Sequence, residues 1–178
     1  MPRTFPLSRA LSALALLATL SSPVLASDWS LCPGLNEPAA EGSTEPRYEA
    51  FLSPYTHHWQ HDDEHRPVFA ASLSRLLPDD RLCGISLFRN SFGQPSAYAF
   101  VGKSWPGLIP RYPKVYASVT AGILYGYVGK YERKVPMNVS GFSPAIIPAI
   151  GYRLTPRSAV EVQILGTAAI MVGTSWRF

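Results

Sequence analysis

The last eleven residues of the chain alternate strictly between two kinds of side chain. One set is mainly branched or aromatic: Ala168, Ile170, Val172, Thr174, Trp176 and Phe178. The other set is small or polar: Ala169, Met171, Gly173, Ser175 and Arg177. A period of two indicates a strand whose two faces meet different surroundings. The pattern therefore predicts a strand with an apolar environment on one side only.

The same alternation recurs upstream, most clearly from Lys114 to Tyr127. Its odd positions are apolar and end in the aromatics Tyr125 and Tyr127, whereas most even positions are small or polar. Such a stripe is typical of a lipid-facing strand with an aromatic girdle. The other candidate strands are Tyr48 to Gln60, Pro67 to Leu76, Leu82 to Arg89, Ser96 to Trp105, Ile146 to Leu154, Ser158 to Leu165 and Ala168 to Phe178. These eight candidate strands predict an all-β fold, namely an eight-stranded antiparallel outer-membrane β-barrel. Pro54 interrupts the first of them and weakens the prediction of that strand.

The beginning of the chain predicts export. Arg3 and Arg9 precede or flank the apolar run Ala10 to Leu20, and a small-residue site ends at Ala26. We expect a signal peptide over residues 1–26. Residues 27–47 are rich in Pro, Gly, Ser and Glu and predict a tether. Residues 48–178 would form the barrel in the bacterial outer membrane.

Charge and cysteine content narrow the possibilities. The net charge is +4, but no basic cluster interleaves with aromatics, so we expect no nucleic-acid partner. Cys32 and Cys83 would meet an oxidising compartment and could pair; alternatively, Cys83 packs as a small apolar residue.

Pro144 and Pro148 interrupt an apolar stretch near the sixth predicted strand. Proline cannot donate a hydrogen bond to a neighbouring strand. The stretch is therefore either a loop that ends at Pro148 or a gap in the barrel wall through which a lipid tail could enter sideways.

All four histidines lie between Thr56 and His65. On strand spacing, His57 shares a face with the interfacial aromatics Tyr55 and Trp59, so His58 would face the interior. An inward histidine is a candidate general base. The segment could instead be a polar loop or a weak site for divalent ions, although its spacing matches no defined zinc site.

The fourth predicted strand holds a candidate serine. Ser104 shares its face with Tyr98, Phe100 and Gly102, whereas Lys103 and Trp105 would face lipid. The serine could be a nucleophile, an oxyanion donor or a packed hydroxyl, and no GxSxG motif is present. The turn Phe88 to Gln94 contains Arg89, which could contact a phosphate.

From Tyr48 to Phe178 the chain resembles the outer-membrane lipid A palmitoyltransferases, the PagP family. The resemblance rests on the order of short motifs and on the aromatic C-terminus. The motifs are Thr56-His57-His58, Gly84 to Arg89, Ala99 to Trp105, Val119 to Gly122 and Pro144 to Tyr152.

This resemblance implies a cofactor-independent and metal-free enzyme that moves a palmitoyl chain from a glycerophospholipid to lipid A. It implies catalytic roles for His58 and Ser104, with Tyr98, Phe100 and Gly102 bordering the acyl pocket. Lys103 stands where the family has an aspartate and cannot accept a proton from histidine, so Asp62 or Asp63 would have to substitute. We expect a monomer. The alternatives are a lipid A deacylase and a non-enzymatic structural or adhesion barrel.

Overall fold

The computed structural model describes Cys32 and residues 45–178. The predicted signal peptide and most of the predicted tether lie outside the described residues. Within them, no helix has the length and apolar character needed to cross a membrane.

Eight strands form one closed antiparallel barrel, which confirms the predicted fold class. Each strand pairs with the next, and β8 pairs with β1 to close the sheet. The strands are β1 (Tyr48–His58), β2 (Ala70–Leu76), β3 (Arg81–Arg89), β4 (Pro95–Pro106), β5 (Val115–Tyr125), β6 (Phe142–Arg153), β7 (Ser158–Leu165) and β8 (Ala169–Arg177). The doubtful first strand is real, and Pro54 falls in a register shift between Leu52 and Tyr55.

The predicted alternation separates the two faces of the wall. On β8, Trp176 is 64% exposed on the outside, whereas Met171 and Ser175 are buried inside. The outer surface carries exposed apolar side chains on every strand: Leu52, Leu73, Ile85, Leu87, Val101, Ile123, Ile146, Ile150, Val160, Ile164 and Trp176. An apolar outer band of this kind matches the hydrocarbon of a bilayer.

The two ends of the barrel differ. Three short turns, residues 77–80, 107–114 and 154–157, lie at the end that holds the start of β1 and the end of β8, which we call the turn end. The opposite, loop end carries L1 (residues 59–69), L2 (90–94), L3 (126–141) and L4 (166–168). The two longest connections, L1 and L3, both lie at the loop end. In outer-membrane barrels, short turns face the periplasm and longer loops face outward.

Strand β6 leaves part of the wall unpaired. It begins at Phe142, earlier than predicted, so Pro144 and Pro148 both lie in the strand and the loop interpretation is wrong. It pairs with β5 from Phe142 to Tyr152 but with β7 only from Ala149 to Arg153. The wall between β6 and β7 is therefore unpaired on its loop-end half, where the two prolines remove backbone donors.

The turn end of the interior is filled by paired polar side chains. The Tyr116 phenol donates a hydrogen bond to Glu161 (2.9 Å), and the Gln163 amide donates another to the same carboxylate (2.7 Å). Arg177 donates to Glu49 (2.6 Å), and Arg153 lies 3.6 Å from the same carboxylate. Buried charged groups are tolerated when they are paired and hydrogen-bonded. These side chains form a polar layer under the open part of the lumen, which we call the floor.

A disulfide links Cys32 to Cys83, with 5.6 Å between the Cα atoms. Cys83 lies between Arg81 and Ile85 on the outward side of β3. Of the two alternatives for Cys83, a disulfide or a packed apolar residue, the structure contains the disulfide.

Candidate active site at the loop end of the barrel

A cavity of about 590 Å³ runs from the loop end into the barrel. Its volume falls in the usual range for small-molecule sites. Apolar side chains line its middle, namely Phe51, Ala70, Phe88, Phe100, Leu165 and Met171. Glu49, Ser118 and Glu161 line its lower part, close to the polar floor. The cavity is therefore a mainly apolar shaft above a polar base, although Ser72, Ser86 and Thr120 also line it.

The cavity also reaches the unpaired part of the wall. Pro144 and Ile146 belong to the outward side of β6, and Ile146 is 68% exposed, yet both residues line the cavity. On the other strands only inward residues line the cavity, so Pro144 and Ile146 mark the place where it extends into the unpaired gap between β6 and β7. We call this gap the lateral opening, and the cavity also has a mouth at the loop end.

His58 stands at the mouth as the last residue of β1. It is half-buried and lines the cavity, whereas His57 points outward, as the alternation predicts. Its imidazole packs against that of His65 in L1, with ring centroids 4.4 Å apart and planes tilted by 38°.

Loop L2 brings a serine to the same mouth. Ser91 is 6% exposed and lines the cavity. It is held by Asn90, whose side-chain oxygen accepts the backbone N–H groups of Phe92 and Gln94, both at 3.0 Å. This is a side-chain-stabilised turn, completed by Gly93 at φ +77°. The backbone N–H of Arg66 donates to the Ser91 carbonyl (2.7 Å), which ties L1 to L2.

Tyr127 closes the mouth from the side of L3, contrary to the lipid-facing position predicted for it. It follows the end of β5 with φ +57°, a conformation that is costly for a bulky side chain. The residue lines the cavity instead of the outer wall. Burial raises the pKa of its phenol, and the Ser91 hydroxyl partly opposes that shift. The strained conformation of Tyr127 beside the buried Ser91 makes this part of the mouth a candidate for function.

L1 and L3 are joined by two exposed ion pairs. Lys134 donates to Asp62 (2.9 Å), and Lys130 donates to Glu64 (2.7 Å). Hydrogen bonding to these lysines lowers the pKa of both carboxyls. Phe92 stacks on Tyr131 with centroids 4.2 Å apart, so L2 also contacts L3. The mouth is thus framed by three loops that hold one another.

Ser104 lies at the turn end of the barrel, whereas His58, its predicted catalytic partner, lies at the loop end. It is buried on the inward face of β4, where its hydroxyl donates to the Ala117 carbonyl (3.3 Å). β4 runs from the loop end to the turn end, so Ser104 lies eight residues, about 26 Å along the strand, from Ser96 near the mouth. The structure therefore does not bring His58 and Ser104 together, and Ser104 is a packed hydroxyl.

Of the three residues predicted to border the acyl pocket, two line the cavity and one does not. Tyr98 and Phe100 line the cavity and stack on each other at 5.1 Å. Gly102 faces inward, but the Val119 carbonyl and Thr120 fill the space beside it, and it does not border the cavity. Lys103 points outward, as predicted.

The acidic residues proposed to assist His58 bind elsewhere. Asp62 pairs with Lys134, and Asp63 lies 3.2 Å from His61. Within Cys32 and residues 45–178, no group of three or more histidine, cysteine or acidic side chains is arranged to hold a metal ion.

Comparison with known proteins shows the fold. No family model matches the chain, and no curated protein matches it. A solved structure titled as a de novo design of transmembrane β-barrels superimposes with a TM-score of 0.54 and 11% identity, covering 76% of this chain and 98% of the design. The outer-membrane protein Ail of Yersinia pestis gives a TM-score of 0.42 and 13% identity, over 75% of this chain and 100% of Ail.

The closed eight-stranded sheet, its apolar outer band and its filled polar base define the class of the protein. It is a β-barrel of the bacterial outer membrane.

Proposed function

We propose that the barrel transfers a palmitoyl chain from a glycerophospholipid to lipid A within the outer membrane. The proposal rests on three features that adjoin one another: an apolar shaft, a lateral opening in the wall, and a mouth that holds a histidine and a serine.

The lateral opening supports a membrane-borne substrate. Water-soluble ligands would reach the cavity through the mouth alone, whereas an acyl chain lies among the lipid tails beside the wall. Pro144 and Ile146 border the opening on the side that faces these tails. A chain that passes between β6 and β7 enters a shaft lined by Phe51, Phe88 and Met171 without crossing water.

The mouth supplies the groups that acyl transfer requires. In the proposed reaction, the His58 imidazole accepts the proton of a lipid A hydroxyl as that oxygen attacks the ester carbonyl of the donor. The ester bond to the glycerophospholipid breaks, and the departing alkoxide takes the proton from His58 and leaves as a lysophospholipid. Ser91 would donate a hydrogen bond to the carbonyl oxygen as it gains charge. Ser91 thereby replaces Ser104 in the predicted pair.

A reconstituted assay tests this function. Purified protein in lipid vesicles receives a glycerophospholipid labelled in its palmitoyl chain, with lipid A as acceptor. We expect label on lipid A and an equal amount of lysophospholipid. The His58→Ala and Ser91→Ala variants should lose the transfer, whereas Ser104→Ala should keep it.

The same assay separates the alternatives. Free fatty acid from the acyl chains of lipid A, with no label gained, would identify a deacylase. Vesicles in which both lipids stay intact would contradict an enzymatic role and favour a structural barrel.

A further inference from the structure

L1 places a second histidine against the candidate base. The centroids of the His58 and His65 rings are 4.4 Å apart, and the His65 ring also makes an edge contact with Phe92, with centroids 5.4 Å apart. His65 is thus held between a strand residue and an L2 aromatic. The imidazole of His58 makes no side-chain hydrogen bond in the described part of the chain that would fix its ring plane, so the contact with His65 is its principal orienting contact.

The backbone around His65 is itself fixed. Its N–H donates to the Asp62 carbonyl (2.9 Å), and the Asp62 side chain accepts the N–H of Glu64 (3.0 Å), which forms a tight turn. The next residue, Arg66, donates its N–H to the Ser91 carbonyl. The same short segment therefore sets the position of His65 relative to both His58 and Ser91.

We propose that His65 is a positioning residue for His58 in the acyl-transfer reaction. It holds the His58 ring by packing a tilted imidazole against it, in the role that a hydrogen-bonded carboxylate fills in other histidine-dependent sites. This inference rests on the proposed function of the mouth.

The second imidazole also makes the site sensitive to protonation. Two protonated rings at this separation repel each other, so a proton on His65 opposes a proton on His58. The other titratable or charged groups around the mouth are His57 on β1, His61, Asp62 and Asp63 on L1, and Tyr127 and Lys134 on L3. Of these, Asp62 is paired with Lys134, which leaves His65 as the neighbour in ring contact with His58.

Three variants test the inference in the vesicle assay, each first checked for the heat-modifiable gel mobility of a folded barrel. We expect His65→Ala to lower kcat by about tenfold to a hundredfold with little change in KM, because the base is misplaced while lipid binding remains. His65→Phe keeps an aromatic ring against His58 and should recover most of kcat. His57→Ala, which removes an outward histidine beside the site, should behave as wild type.

The pH profile distinguishes positioning from a structural role. In His65→Phe the acid limb of the kcat profile should move to higher pH, because no neighbouring imidazolium opposes protonation of His58. Full activity in His65→Ala, beside an inactive His58→Ala, would overturn the inference and leave the proposed function intact. Equal losses in the Ala and Phe variants with an unmoved profile would also overturn it. An inactive wild-type protein would instead contradict the proposed function itself.

Discussion

Tyr116 of β5 donates a hydrogen bond to Glu161 of β7 across the interior of the barrel, with 2.9 Å between the two oxygens. Both side chains are buried, and β6 separates their strands. The Tyr116 ring lies on Gly151 of β6, so the contact passes over that strand on the inner surface of the wall. Glu161 lines the lower part of the cavity, and the contact links β5 to β7 where β6 and β7 are still paired.

The first prediction concerns this contact. Tyr116→Phe removes the donor and leaves a buried carboxylate oxygen without it, which should lower the free energy of unfolding by about 1–3 kcal/mol. Urea unfolding in detergent micelles, followed by tryptophan fluorescence, measures the change. Tyr112→Phe, in the exposed turn of residues 107–114, is the matched control and should change stability little. Equal stabilities for the two variants would contradict a role for the contact in the floor.

The second prediction concerns the scaffold of L2. Asn90 is 1% exposed and its side-chain oxygen accepts two backbone N–H groups of the turn that carries Ser91. Asn90→Ala should disorder the turn and lower transfer activity as strongly as Ser91→Ala, although the serine is still present. Asn90→Asp keeps an acceptor in the same place and should retain more activity. Activity that survives in Asn90→Ala would show that the turn does not position Ser91.

The third prediction concerns the opening between β6 and β7. Continuing their register past Ala149↔Gln163 brings Ile147 opposite Leu165. Cysteines at these two positions, bridged with a thiol cross-linker, should lower transfer at least tenfold, because the acyl chain loses its sideways route. A bridged pair at Ser72 and Ser86 is the control, because these residues face each other across a paired seam and also line the cavity. Undiminished transfer after bridging Ile147 and Leu165 would indicate that lipid enters by another path.

The fourth prediction concerns pH and the ion pairs between L1 and L3. The pKa values of Asp62 and Glu64 lie below their ordinary values of 3.8 and 4.5, because each carboxyl is hydrogen-bonded to a lysine. A lowered folded-state pKa gives stabilisation that is present above the ordinary value and is lost as the pH falls through the folded-state value.

Amide hydrogen exchange in L1 and L3 should therefore be steady from neutral pH down to about pH 5, apart from its intrinsic pH dependence, and should accelerate below about pH 4. Lys130→Met combined with Lys134→Met removes both pairs and should abolish that acceleration. Loops that remain equally protected at pH 3 would contradict the assignment. Because the pairs are exposed, the effect on global stability should be small.

The sequence predicted the wall better than the site, for a physical reason. Alternation is a local property, so it identified β5, β7 and β8 and placed Trp176 outside and His58 inside. It also placed Ser104 inside, correctly, but alternation says nothing about height along the barrel axis. Height depends on strand order, because odd-numbered strands run towards the loops and even-numbered strands run away from them.

This relation between strand number and height could have identified Ser91 from the sequence. His58 ends β1, and Asn90-Ser91 directly follows β3, so both lie where odd-numbered strands reach the loop end. Ser104 is near the end of β4, an even-numbered strand, and must lie at the turn end. The inward position of Tyr127 was not predicted for another reason. Tyr127 follows Gly126 and has a left-handed backbone conformation, which reverses the alternation that holds up to Tyr125.

The central claim is that this barrel adds an acyl chain to lipid A through His58 and Ser91 at the loop end. Mass spectrometry of lipid A from cells lacking the gene and complemented with each variant tests it most directly. We predict a mass increase of one palmitoyl group with the wild-type and Ser104→Ala proteins, and none with His58→Ala or Ser91→Ala. Identical lipid A spectra with and without the wild-type gene would contradict the claim.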